Sequence, residues 1–112
     1  MNLSYRAHNT IAVLAPMGRI DAQTAPDLEN KALALLQKGD RFLVLDLSAV
    51  VYMASSGMRV LLQTAKKAKA LEARLALAGI TASVRELLSM TGFLQYFDEF
   101  ENVDAAEVAF SQ

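Results

Sequence analysis

The stretch from Arg41 to Ala70, RFLVLDLSAVVYMASSGMRVLLQTAKKAKA, constrains this chain more than any other. Phe42 to Leu47 is an apolar run without the in-out alternation of a strand wetted on one face. It predicts a strand at the centre of a sheet that is covered on both sides. Further on, Met58, Leu61, Leu62, Ala65 and Ala68 fall on one helical stripe, and Arg59, Lys66, Lys67 and Lys69 on the opposite face. Between strand and helix lies a loop with Ser55 and Ser56, where the first turn of a helix has backbone N–H groups without partners. Ligands and partners of parallel sheets usually meet the carboxyl ends of the strands, so this loop is where function is expected.

The flanking segments fit the same architecture. Leu3, Tyr5 and Ala7 alternate with polar residues, and IAVLAP follows His8, Asn9 and Thr10. Two strands joined by a tight turn at Asn9 suit this pattern. Pro16 and Gly18 end the second run, and Asp21 follows in a polar loop. Thr24 is placed to cap a helix in which Asp27 and Glu29 meet the positive end, Leu28, Ala32 and Leu35 share a face with Ala25 and Leu36 at its margins, and Gly39 is the stop. Arg74 to Ala78 reads as a strand ending at Gly79. Ala82 to Met90 reads as a helix with Val84, Leu87 and Leu88 inward, ended by Gly92. Tyr96, Phe97 and Phe100 suggest a short last strand, and Val103 to Phe110 a terminal helix that is acidic at Asp104 and Glu107. Strands separated by helices are joined by right-handed crossovers and run parallel, while the opening hairpin adds an antiparallel edge. The expected fold is an α/β domain over residues 1–112, a single mixed sheet with packed helices.

Bulk properties narrow the functions. A net charge of −1, with both signs dispersed over 112 residues, argues against nucleic acid, which requires a concentrated cationic surface. Cysteine is absent, which excludes disulfides, thiolate metal sites and cysteine nucleophiles. Arg41, Asp46, Arg59 and Lys66 interrupt the most hydrophobic region, so no membrane span is expected, and the N-terminus lacks the pattern of a signal peptide. The expectation is a soluble, cytoplasmic, non-enzymatic protein, monomeric when free, with no metal and no cofactor of its own. A hydrophobic share of 54% is high for so short a chain, and surplus apolar residues often face a partner.

Catalysis is poorly provisioned. His8, the sole histidine, falls in the expected turn and reads as a surface residue. Met53 and Ala54 stand two residues before Ser55 and Ser56, where a nucleophile elbow requires glycine. No phosphate-binding glycine loop is present, and a hydrolytic domain lacks a base. The serine pair remains. One serine suffices as a cap, at about 1 kcal/mol. If Ser56 caps, Ser55 is left exposed, where a phosphate would be favoured by the helix dipole and the free N–H groups. Such a charge changes stability by roughly 0.3 to 1 kcal/mol. Buried in an interface without a partner it costs several kcal/mol, and each 1.4 kcal/mol or so is tenfold in affinity. Modification of Ser55 would thus spare the fold and cancel binding.

Residues 46–62, DLSAVVYMASSGMRVLL, closely resemble the signature of the STAS domain of bacterial anti-sigma factor antagonists. Gly18, Arg19, Ile20 and Asp21, followed by Thr24 and Ala25, are similar to the family's segment before its first helix. The order of strands and helices matches over nearly the whole chain. The resemblance implies partner switching. Unphosphorylated, the protein would bind an anti-sigma factor serine kinase. The kinase, with its own ATP and Mg²⁺, would phosphorylate Ser55 and release it, and a PP2C-type phosphatase would reset it. By the same resemblance Asp21 is the acidic residue near the acceptor. Met53, Ala54, Ser56, Gly57, Met58 and Arg59 flank Ser55 and complete the expected docking surface. Asp21 also reads as a plain turn residue and Met58 as core. The family commonly has aspartate immediately before the acceptor, where this chain has Ala54. That departure keeps a second reading open, a non-catalytic STAS subunit of a lipid-transport or stress-sensing assembly.

Overall fold

The computed structural model describes residues 1–8 and 11–111, with His8 described by its backbone alone. In chain order the elements are β1 (Leu3–His8), β2 (Ile11–Pro16), β3 (Gly18–Ile20), α1 (Ala25–Lys38), β4 (Phe42–Asp46), β5 (Val50–Met53), α2 (Ser55–Ala70), β6 (Arg74–Ala78), α3 (Ala82–Thr91), β7 (Asp98–Phe100) and α4 (Val103–Phe110). A single 3-10 turn, Phe93–Tyr96, links α3 to β7.

Five strands form one mixed sheet in the order β1-β2-β4-β6-β7. β1 and β2 pair antiparallel, and every other pair in the sheet is parallel. The apolar run lies at the centre as its pattern requires. Leu43, Val44 and Leu45 are at most 1% exposed, and removing a side chain of this size from water stabilises by about 1.5 to 3 kcal/mol. Successive residues of a strand point to opposite faces, so Leu43 and Leu45 pack with Leu14, Leu75 and Leu77 beneath α1, α2 and α3. Val44 packs on the other face with Ile11, Val13, Ala76 and Ala78, covered by Ala106 and Phe110 of α4. Phe110 stacks on Phe42 at 4.6 Å between ring centroids and meets Phe100 edge-on at 5.7 Å.

The helices follow the apolar spacing. Ala25, Leu28, Ala32, Leu35 and Leu36 of α1 are buried, and α1 and α3 end at Gly39 and Gly92 as expected. On α2 the deepest residues are Gly57, Val60, Leu61, Thr64 and Ala68, while Met58, Leu62 and Ala65 sit at the margin of the stripe. Val84 and Leu88 of α3 are buried and Leu87 is half-buried. The last strand begins later than its aromatic residues suggest. Tyr96 belongs to the 3-10 turn, Phe97 is buried in the core, and β7 starts at Asp98. His8 closes β1 instead of lying in the turn, and the expectations for its side chain and for the turn at Asn9 fall outside the described residues.

Beside this sheet stands a second ladder, β3 paired parallel with β5, that the sequence pattern did not announce. The residues just before Asp21 and those between Leu47 and the serine pair, expected to be loop, form these strands. Gly18 pairs with Val50 but Arg19 pairs with Tyr52, so Val51 has no partner and the ladder bulges. Gly18 adopts a φ of 88°, in the left-handed region that glycine enters without steric cost.

Candidate functional site

The two-stranded ladder positions the serine loop. Ile20 pairs with Met53, so Asp21 and Ala54 follow side by side at the carboxyl ends of β3 and β5. Ala54 N–H donates to Ile20 C=O at 2.8 Å, which ties the last residue before α2 to the last residue of β3. Helix α2 then presses on this ladder through Gly57. A Cβ at Gly57 would come within 2.7 Å of Ile20 Cγ2, 2.9 Å of Met53 Cγ and 3.1 Å of Ile20 O, so only glycine allows the approach.

The structure corrects the capping assignment. Ala54, with φ −82° and ψ 170°, occupies the cap position of α2, and Ser55 and Ser56 are its first two helical residues. Neither hydroxyl caps the helix. The physical reason is the bond from Ala54 to Ile20, which holds residue 54 extended and lets the helix begin directly after it. Alanine has no side-chain acceptor, so among the described residues the N–H groups of Ser55, Ser56 and Gly57 have no partner, and the first intrahelical bond is from Met58 N–H to Ala54 C=O at 3.1 Å. Thr24 likewise makes no side-chain cap to α1. Its hydroxyl accepts from Asp21 N–H at 2.9 Å and donates to Arg19 C=O at 2.9 Å.

Asp21 is a turn residue and a neighbour of the serine loop at once. Its Oδ1 accepts from Gln23 N–H at 3.0 Å and Thr24 N–H at 3.2 Å, and Oδ2 lies 3.8 Å from Arg19 Nε. Partial burial pushes the carboxyl up, but the hydrogen bonds from Thr24 and Gln23 together with the Arg19 guanidinium outweigh it and hold Asp21 below the ordinary carboxylate range. The carboxylate is therefore charged at neutral pH and fixed in orientation.

The expected docking residues divide by exposure. Ser55 and Arg59 are exposed, one helical turn apart. Asp21, Ala54, Ser56 and Met58 are half-buried, with Met58 packed against the core. Met53 and Gly57 do not belong to the surface. Met53 is 1% exposed and Gly57 is sealed against Ile20, because alternate residues of β5 face inward and α2 leans on them. In their place the structure supplies residues that the sequence reading left out. Met17, Val51 and Tyr52 are large apolar side chains left 47%, 69% and 41% exposed, and Arg19 lies 4.4 Å over the Tyr52 ring. The β-forming run Val50-Val51-Tyr52 was the available signal for a strand, but the bulge that turns two successive residues outward is not written in that run.

Fold and site define an α/β module that presents a serine hydroxyl at the uncapped start of a helix, with a turn-bound carboxylate following β3 and exposed apolar side chains on β5. Among the described residues no group of three His, Asp or Glu side chains could hold a metal ion, and no helix is long and apolar enough to cross a membrane. Residues 2–106 match the STAS domain, and the chain belongs to the STAS family. It is 32% identical over 110 residues, 98% of this chain and 95% of that protein, to a protein of Bordetella bronchiseptica named "Putative anti-sigma factor antagonist BtrV". The crystal structure of an anti-sigma factor antagonist from Mycobacterium paratuberculosis superposes with a TM-score of 0.89 at 27% identity, covering 99% of this chain and 94% of that one. The Bacillus cell fate determinant SpoIIAA in its phosphorylated form shares the fold, with a TM-score of 0.77 at 14% identity over 96% of this chain and 99% of that one.

Proposed function

We propose that this protein is an anti-sigma factor antagonist, acting by binding and switched by phosphorylation of Ser55. Unphosphorylated, it binds an anti-sigma factor serine kinase through Ser55, Arg59, Asp21 and the patch of Arg19, Val51 and Tyr52. The kinase, carrying its own ATP and Mg²⁺, transfers a phosphoryl group to the Ser55 hydroxyl, and the modified protein is released. A PP2C-type phosphatase hydrolyses the phosphoserine and restores the binding form. The protein itself contributes the acceptor and no catalytic group.

The observation that carries this reading is an exposed serine at a helix start whose N–H groups have no side-chain acceptor. A phosphate at this place is favoured by those donors and by the positive end of the helix dipole. It would leave the core, which lies beneath Gly57 and Met53, undisturbed. In the interface the same dianion faces a surface arranged for a hydroxyl, and an unpaired charge there weakens binding by powers of ten. The names of relatives matched over almost their full length support the role, and one solved relative of the same fold is a phosphorylated form. The experiment is phosphoryl transfer from the cognate kinase with labelled ATP: wild type takes up label and Ser55→Ala does not. Equal labelling of Ser55→Ala places the acceptor elsewhere and overturns the assignment.

A further inference from the structure

The two edges of the five-stranded sheet are unlike. β7 is three residues long, and its Asp98 and Glu99 are held in ion pairs by Arg74 and Arg85. β1 is six residues long, without proline, and Ser4, Tyr5, Arg6 and Ala7 are exposed. Its register shows which of its backbone groups are free. Met17 N–H donates to Asn2 C=O at 2.9 Å, and Asn2–Met17 continues the pairing of Leu3 with Pro16, Ser4 with Ala15 and Arg6 with Val13. In an antiparallel ladder hydrogen-bonded and open pairs alternate. Asn2, Ser4, Arg6 and His8 therefore turn their backbone groups toward β2, and Leu3, Tyr5 and Ala7 turn theirs to the outside. Pro16 agrees with this, because its missing N–H falls opposite Leu3 at an open pair.

The charge beside this edge selects what can add to it. Lys31 and Lys38 of α1 reach over the exposed Tyr5 ring, at 4.7 and 5.8 Å from its centroid. Among the described residues Lys31 makes no ion pair, and Lys38 divides its contacts between the Tyr5 hydroxyl at 3.4 Å and Asp40 at 3.5 Å. A second copy is disfavoured: the symmetric register that uses Leu3, Tyr5 and Ala7 places Tyr5 opposite Tyr5 and gathers the lysines of both copies around one pair of rings. We propose that β1 accepts an extended acidic segment of another protein as an added edge strand. Its backbone would pair with Leu3, Tyr5 and Ala7, and its carboxylates would lie beside Lys31 and Lys38. This surface is separate from the serine loop, and the inference stands without the phosphorylation reading.

The test uses the full chain and a short capped peptide alternating glutamate with valine, with a lysine–valine peptide as the control. The glutamate peptide is expected to bind, to slow exchange of the Leu3, Tyr5 and Ala7 amides, and to bind at least ten times more tightly than the control. Ala7→Pro, which removes only an outward N–H, and Lys31→Glu, on the exposed face of α1, are each expected to weaken it about tenfold. Lys31→Glu keeps the test alive if Ala7→Pro does not fold. Absence of binding, equal binding of both peptides, protection mapped away from β1, or a β1-mediated dimer in sedimentation would each overturn the proposal.

Discussion

Helices α3 and α4 begin under a side-chain cap, and α2, which has two serines at its start, begins without one. Thr81 Oγ1 accepts from Val84 N–H at the head of α3, and Asn102 Oδ1 accepts from Ala105 N–H at 2.8 Å at the head of α4. At α2 the equivalent place is Ala54. Helices α3 and α4 are each anchored by a hydrogen bond that satisfies one of their own free N–H groups. Helix α2 is anchored from outside, by the bond from Ala54 to Ile20 and by the fit of Gly57 against β3 and β5, so its donors stay free. A helix start held by packing can take on a charged group without first losing a cap. The difference separates helix starts closed by a side-chain cap from one whose donors are open to the phosphate proposed at Ser55.

The packing of Gly57 carries the largest expected effect. Gly57→Ala forces a methyl group into Ile20 and Met53, and overpacking of this kind costs about 1 to 3 kcal/mol. Chemical denaturation should show that loss; an unchanged midpoint would mean that the contact is not what holds α2. Next come the caps. Asn102→Ala should cost about 1 kcal/mol, whereas Ser56→Ala should stay within about 0.5 kcal/mol, because its hydroxyl caps nothing. Equal losses in the same denaturation series would erase the contrast. The last effect is a gain: Ala54→Asp supplies the missing acceptor and a charge that suits the dipole, and should raise stability by roughly 0.5 to 1 kcal/mol. Thermal melting checks it, with a lower midpoint counting against free donors at residues 55 to 57.

The parts of the fold legible in the sequence were those set by periodicity over many residues. The run from Phe42 to Leu47 read as a doubly covered strand, and the strand is there over Phe42–Asp46; the spacing of Leu28, Ala32 and Leu35 read as a helix face, and all three are buried on α1. The ladder of β3 and β5 was hidden because strands of three and four residues are too short for a pattern, and its bulge rests on the pairing of distant segments. The serine caps were misread for a related reason. Serine favours the cap position, but which residue holds that position was decided by the bond from Ala54 to Ile20, a tertiary contact that overrides local preference. Met53 was misplaced on the surface because a strand's inward and outward residues cannot be assigned before the strand itself is known. Asp21 was legible as a turn residue from its neighbours; the resemblance put it near the acceptor, and the ladder sets it beside Ala54, the residue before Ser55.

A phosphate on Ser55, as proposed, leaves the fold intact and weakens partner binding. Calorimetric titration of the cognate anti-sigma factor kinase with unmodified and Ser55-phosphorylated protein, each of verified native circular dichroism, tests it directly. Phosphorylation is expected to weaken binding at least tenfold, about 1.4 kcal/mol or more, without changing the spectrum. Equal affinity of the two forms would contradict it.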